Sequence, residues 1–156
     1  MDEFILDKLQ KENKKLASLG KRLIATFIDN IILSILLFVI LHNTTDIKDI
    51  VSGLNEEQIS QFISSLSMYF IVIKFIYLYL FFYLKFATLG NIITKTKIVS
   101  IDNFKSIDYK SSLYRALVFI ICEITLFGIL FLSVFFNSTN RHLADTMSKS
   151  VVINDD

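Results

Sequence analysis

Three long runs of apolar residues dominate the hydrophobic pattern, and polar stretches separate them. The runs cover residues 23–41, 66–86 and 113–136. A helix that rises about 1.5 Å per residue needs about 20 apolar residues to cross the roughly 30 Å hydrocarbon core of a bilayer. Each run is long enough to cross, so the pattern predicts an all-α membrane protein with two transmembrane helices and a third helical segment.

The third run leaves two arrangements open. Gly128 interrupts it near the middle, so it either spans the membrane once or dips in and returns as a re-entrant hairpin. Hairpin backbone at that depth is tolerated only where it is buried against protein. Arg141 follows the run closely, and residues 150–153 can pair with an earlier strand only if both lie on one side. These features favour the hairpin, whereas a single span would place the C-terminus outside.

The connections contain shorter elements. Residues 97–101 form a β-branched segment that ends in a turn, and residues 150–153 form a second one, which together predict a small β element. Asn55 and Gln58 have the spacing of a capping box, so the second membrane helix is predicted to begin there, as an amphipathic stretch on the outer surface.

The chain divides into three parts on this pattern. Residues 1–18 are predicted to form a cytoplasmic amphipathic helix, whose apolar face holds Ile5, Leu9 and Leu16. This helix either lies on the inner membrane surface or is solvated on its other face. Residues 19–153 form the membrane domain, and residues 154–156 are a tail.

Composition supports a membrane protein. The chain is 53% hydrophobic, contains no Pro and only four Gly, and has one Cys, which excludes an intrachain disulfide framework. The mean hydropathy is +0.56. Its net charge of +1 gives no reason to expect nucleic-acid binding. The lipid bilayer is therefore the expected partner, and no cofactor or metal is predicted.

The distribution of basic residues predicts the orientation. Residues 1–22 contain six Lys and Arg, residues 42–65 contain one, and residues 85–115 again contain six. Basic residues concentrate in cytoplasmic connections. We therefore expect a multi-pass protein of a cell membrane with its N-terminus and the β element in the cytoplasm.

Three charged residues lie within the apolar runs. Counted along ideal helices from the inner face, Asp29, Glu123 and Lys74 fall at depths of about 9, 15 and 18 Å. Two carboxylates that share one ammonium group leave a surplus negative charge, which favours binding of a proton or small cation. The structural alternative is that these charges tie helices together, with Arg22 or Arg115 as further partners of Asp29.

Two hypotheses about function follow. One is a proton- or cation-coupled transport module centred on Asp29, and the other is a non-transporting scaffold or accessory subunit whose buried charges join helices. Three membrane segments can barely enclose a polar path, so we expect a homo-oligomer or a membrane partner. No phosphate-binding loop or nucleophile arrangement is present, and an enzyme is not expected.

The sequence resembles the RDD family of small bacterial membrane proteins, named for an Arg and two Asp. Three segments carry the resemblance: Leu19 to Asp29 with its Arg22 and Asp29, Thr88-Leu89-Gly90 with the later Arg115, and Arg141-His142-Leu143-Ala144-Asp145. The chain departs from the family pattern at several positions, among them Asn91 and Ala144. The resemblance implies a multi-pass bacterial inner-membrane protein in which Arg22, Asp29 and Asp145 are the naming residues, and it identifies no substrate.

Overall fold

The structure is a computed structural model that describes residues 2–44, 53–125, 139 and 141–155. Six described helices are α1 (Asp2–Lys11), α2 (Leu19–Thr44), α3 (Glu56–Leu84), α4 (Leu89–Ile93), α5 (Tyr109–Ile124) and α6 (Leu143–Met147). The strands are β1 (Thr96–Ser100) and β2 (Ser150–Asn154). The described part is thus mostly helical, with one small sheet, as predicted.

Helices α2 and α3 are candidate membrane spans by length and composition. Only 17% and 22% of their most apolar windows are buried, so both present apolar faces outward. Leu23 and Phe27 on α2 are examples of such exposed side chains. The predicted runs 23–41 and 66–86 fall on these helices, although α3 ends two residues earlier than predicted.

The second span begins where the sequence predicts. The Asn55 side chain accepts a hydrogen bond from the backbone N–H of Gln58 (2.9 Å), and the Gln58 side chain accepts one from the backbone N–H of Asn55 (3.0 Å). This reciprocal pair satisfies two backbone donors that the first turn of a helix leaves without partners. The predicted capping box is confirmed.

The third apolar run begins on α5. Asp108 caps this helix by accepting a hydrogen bond from the backbone N–H of Ser111 (3.1 Å). The inner face of α5, with Ala116 and Phe119, packs in one core cluster with Leu78 and Phe82 of α3. The remainder of the predicted segment 113–136, and with it the choice between hairpin and span, lies outside the described residues.

The two strands pair in antiparallel fashion, with Ile98 opposite Val152. Helix α1 packs on this sheet, because Ile5 and Leu9 are buried against a cluster that includes Val99 and Val151. Ile5 and Leu9 of the predicted apolar face are therefore used against the sheet. The helix ends at Lys11 and does not reach residue 18 as predicted, and Leu16 instead forms an isolated β-bridge with Ile153. The observed β1 begins and ends one residue before the predicted segment 97–101.

Candidate functional site

A buried carboxylate lies where α2, α5 and α6 meet. Asp145 of α6 is fully buried and forms ion pairs with Arg22 of α2 through Oδ2 and with Arg115 of α5 through Oδ1. The two arginines thus approach different oxygens of one carboxylate. Three elements that are distant in sequence are joined at this point.

The start of α6 fixes the position of this carboxylate. The Asp145 side chain accepts a hydrogen bond from the backbone N–H of His142 (3.1 Å), and Nδ1 of His142 accepts one from the backbone N–H of Ala144 (3.0 Å). His142 is therefore the N-cap of α6, and its ring proton is assigned to Nε2 because Nδ1 accepts. The ring also packs edge-on against Phe119.

The electrostatics of this cluster keep Asp145 charged and His142 neutral. Burial disfavours the charged form of Asp145, but Arg115 and Arg22 outweigh that effect and hold the pKa of the carboxyl far below its usual range. Burial lowers the pKa of His142 to about 3, although Asp145 opposes this shift. At neutral pH the cluster therefore holds two guanidinium groups and one carboxylate.

Arg115 also connects the helices to the sheet. Its Nη1 lies 2.5 Å from Oγ of Ser150 at the start of β2, and its guanidinium lies 5.2 Å from the ring centroid of Phe82 on α3. Oγ of Ser150 lies 2.8 Å from Oγ of Ser148. The arginine thus contacts three elements besides its own helix.

Asp29 is held by neutral donors. Its Oδ1 accepts hydrogen bonds from the Tyr77 hydroxyl of α3 (2.5 Å) and from the backbone N–H of Gly90 in α4 (2.8 Å). The Tyr77 oxygen in turn accepts from the backbone N–H of Leu89 (3.0 Å). Among the described residues, no cation forms an ion pair with Asp29. Its carboxylate therefore supports the first turn of α4, whose backbone donors have no partner within the helix.

Gly90 allows α4 to approach α2 closely. A Cβ atom built on Gly90 would lie 2.0 Å from the carbonyl oxygen of Ala25, which is far inside van der Waals contact. Ala25 precedes Asp29 by about one helical turn, so both lie on the same face of α2. Only glycine permits this approach, and the approach brings the Gly90 N–H to Asp29.

A second polar cluster lies deeper in the bundle. Nζ of Lys74 lies 2.5 Å from Oε1 of Glu123 and donates to Oδ1 of Asn30 (2.6 Å). The same ammonium group lies within 6 Å of the ring centroids of Phe70 and Phe119 (5.8 and 5.9 Å). Lys74 is 2% exposed. Its charge is therefore compensated by a carboxylate, an amide and two aromatic faces.

A cavity of about 350 Å³ borders the arginine cluster and Asp29. Polar side chains on its wall include Arg22, Arg115, His142, Asn91 and Asp29. The rest of the lining is mainly apolar. Its size falls within the range of small-molecule sites, which are mostly apolar with a few polar groups.

Comparison with known proteins gives one match. The sequence profile of the RDD family matches residues 16–149, which is most of the chain. The chain belongs to the RDD family. RDD proteins are membrane proteins, which agrees with the two apolar helices. No curated protein and no solved structure matches this RDD chain.

The structure separates the residues that the sequence placed in one ion site. It brings Lys74 and Glu123 together, but it places Asp29 on Tyr77 and Gly90 instead of on Lys74. The RDD signature residues Arg22 and Asp145, together with Arg115, form one contiguous cluster.

Sequence reasoning missed the partners Tyr77, Asn30 and His142. Tyr77 follows Lys74 by three residues, which is the spacing of neighbours on one helical face. Asn30 directly follows Asp29. Two neighbouring polar residues on α2 and two polar residues on one face of α3 thus indicated a contact between these helices. The role of His142 as a cap depends on local backbone geometry, which the sequence pattern does not indicate.

Proposed function

We propose that this RDD-family protein is a transport module for protons or small cations and that Asp29 binds the transported ion. The observation that supports the proposal is the environment of the Asp29 carboxylate. It is 5% exposed and lines the cavity, and both of its hydrogen bonds end on Oδ1. Within the described part of the chain, no group donates to Oδ2.

A buried carboxylate without a cationic partner is unstable in its charged form. Removing such a charge from water costs several kcal/mol, and hydrogen bonds from neutral donors offset only part of that cost. A proton or cation at Oδ2 would neutralise the charge. The Tyr77 hydroxyl and the Gly90 N–H would keep the carboxylate in place while the occupant changes.

We assign a positioning role to the Lys74–Glu123 pair. Lys74 already neutralises Glu123, and it also holds Asn30, the residue after Asp29. The ammonium group would thus fix α2 against α3 next to the ion site, and it would repel cations from the deeper part of the bundle. Asp29, Glu123 and Lys74 remain the residues of the proposed site, with different roles.

We further propose an orientation and an assembly. The basic residues of 1–22 and 85–115 support a cytoplasmic N-terminus and sheet in a bacterial inner membrane. The pairing of β1 with β2 supports entry into and exit from the third segment on the same side. Three membrane segments can barely enclose a polar path, so transport would occur in a homo-oligomer or with a membrane partner. Transport of this kind would need no catalysed chemical step.

Flux measurements on purified protein in liposomes test the proposal. With a pH or cation gradient imposed, wild type should dissipate the gradient, and Asp29→Asn should fall to the rate of empty liposomes. The substituted side chain retains an oxygen that can accept from Tyr77 and Gly90, so Asp29→Asn should fold and accumulate normally. Glu57→Gln removes a charge at an exposed position of α3 and should retain wild-type flux.

A scaffold role is the second candidate. It is favoured by the fact that the contacts of Asp29 join α2, α3 and α4 at one point. On this alternative, wild type shows no flux with any common cation. If wild type does transport, a stable Asp29→Asn protein with normal transport would exclude Asp29 as the ion site and leave it only the role of joining helices.

A further inference from the structure

The arginine end of the cavity has an excess of positive charge on its wall. Arg22 and Arg115 both line the cavity, whereas their shared partner Asp145 is fully buried behind them and is not part of the lining. His142, also on this wall, stays neutral for the reason given above. An occupant of this end therefore meets two guanidinium groups.

Arg115 has a buried donor without an acceptor in the described part of the chain. The residue is 3% exposed, and its Nε has no hydrogen-bond acceptor among the described residues. Buried donors normally have partners, and one without a partner indicates an unseen ligand or water. Guanidinium groups match the oxygens of phosphate through several parallel hydrogen bonds. A phosphate group therefore fits this end of the cavity better than a neutral ligand does.

The apolar wall of the cavity indicates that the ligand has an apolar tail next to its anionic group. Leu23 lines the cavity and is 68% exposed on the outer face of α2, so the cavity opens toward the bilayer. Leu19, Leu78 and Phe82 extend the apolar lining. Arg22 lies near the start of the α2 span, at the level where phospholipid headgroups meet the hydrocarbon core. An anionic head and an apolar tail are thus accommodated by adjacent surfaces.

We propose that this cavity binds the phosphate headgroup of a phospholipid from the adjacent leaflet. The phosphate would contact Arg22 and Arg115, and an acyl chain would leave past Leu23. Along α2, Asp29 lies about 10 Å from Arg22, so the phosphate and the proposed ion need not contact each other. The lipid site does not depend on transport, and the two proposals fail in different experiments.

Lipid binding to the purified full chain tests the proposal. Native mass spectrometry in a non-ionic detergent with added phosphatidylglycerol should show one lipid bound per chain. Asn91→Asp adds a negative charge to the cavity wall and should weaken binding by about tenfold or more. Because Oδ1 of Asn91 accepts from the Thr96 hydroxyl (3.2 Å), a carboxylate can keep that bond. Asn103→Asp, the same change at an exposed turn, should bind like wild type.

A second pair of variants tests the opening of the cavity at Leu23 and keeps the proposal testable if Asn91→Asp does not fold. Leu23→Trp narrows the opening and should weaken binding, whereas Ile24→Trp, on the exposed face outside the lining, should not. Equal binding by all variants, or no binding by wild type, would overturn the site. If diacylglycerol, which has no phosphate, binds as tightly as phosphatidylglycerol, the phosphate has no role in binding. Glycerol phosphate that binds as tightly as the lipid would overturn the lipid in favour of a soluble phosphate ester.

Discussion

The two RDD aspartates are both buried, yet their surroundings favour different behaviour. Asp145 lies between two guanidinium groups and keeps its charge, so it acts as a fixed joint between helices. Among the described residues, Asp29 accepts hydrogen bonds only from a hydroxyl and a backbone N–H, and it lines the cavity. A fixed charge cannot carry an ion through a cycle of binding and release. The proposed ion site is therefore assigned to Asp29, whereas Asp145 joins the helices.

His142 makes the stability of the protein depend on pH. Burial lowers its pKa to about 3, whereas the unfolded chain takes up the proton near pH 6.5. Between these values the unfolded state binds a proton that the folded state does not, so the free energy of unfolding should fall by about 1.4 kcal/mol per pH unit as the pH drops. We expect thermal unfolding in detergent to occur at a clearly lower temperature at pH 4.5 than at pH 6.5.

The control for this prediction is His142→Asn. Asparagine is a good N-cap, so α6 should still form, although the loss of the contact with Phe119 lowers the overall stability. The comparison is therefore between the pH dependences of the two proteins. Asp145 contributes little to the difference in this range, because its carboxyl group stays charged in the unfolded state until the pH falls to about 4. Equal pH dependence in both proteins would contradict the assignment.

At the scale of elements, α4 is a five-residue helix whose position depends on one glycine. The Gly90→Ala side chain would collide with the backbone of Ala25, and backbone atoms cannot yield as a flexible side chain does. Helix α4 would move away from α2, and Asp29 would lose its bond from the Gly90 N–H. We expect a loss of about 1–3 kcal/mol or more in stability, measured as a lower unfolding temperature in detergent.

Gly20→Ala is the matched control for this change. A Cβ at Gly20 has no atom within 4 Å, and alanine favours the helix that Gly20 occupies. This variant should be as stable as wild type or slightly more stable. If the two alanine variants unfold at the same temperature, α4 does not approach α2 as closely as the structure shows.

The sequence predicts those elements that depend on local features of the chain, such as the length of an apolar run, the spacing of two residues or the composition of a short segment. Apolar length located α2 and α3, the spacing of Asn55 and Gln58 located a helix start, and β-branched composition located both strands. The proposed joint site of Asp29 and Lys74 depended on depth along the membrane normal. Depth is only one coordinate, since rotation about the helix axes decides which side chains meet.

The observed partners of Asp29 and Lys74 show why these contacts could not be predicted from the sequence. Residues 29 and 30 of α2 meet residues 77 and 74 of α3, so adjacent positions on one helix take different partners on the other. The bond from Gly90 comes from a backbone N–H 61 positions away in sequence, and any residue type except Pro supplies such a donor. No pattern of side chains indicates that contact.

At the scale of the whole molecule, the sheet joins three distant parts of the chain. Strand β1 lies in the connection between α3 and α5, β2 lies near the C-terminus, and the N-terminal α1 packs on both. The backbone N–H of Ala17 also donates to the carbonyl of Val152 (3.0 Å) just before α2 begins. These parts must therefore lie on the same side of the membrane, whichever side that is.

Labelling of introduced cysteines tests this arrangement and its orientation. With an impermeant thiol reagent applied to intact cells, Glu57→Cys should react, because Glu57 is exposed on the first turns of α3, at the predicted outer end. Asn103→Cys and Asp155→Cys should react only after the cells are permeabilised. Wild type is the negative control, because its one cysteine, Cys122, is buried.

The orientation and the pairing of the strands are tested separately by this experiment. If Asn103→Cys and Asp155→Cys react from outside and Glu57→Cys does not, the orientation is reversed while the fold stands. If Asn103→Cys and Asp155→Cys differ from each other, β1 and β2 cannot be paired, because Asn103 lies in the turn after β1 and the backbone N–H of Asp155 donates to the carbonyl of Lys95 (2.9 Å) just before it. Agreement between these two positions is therefore required by the sheet, whereas their location in the cytoplasm is required only by the distribution of basic residues.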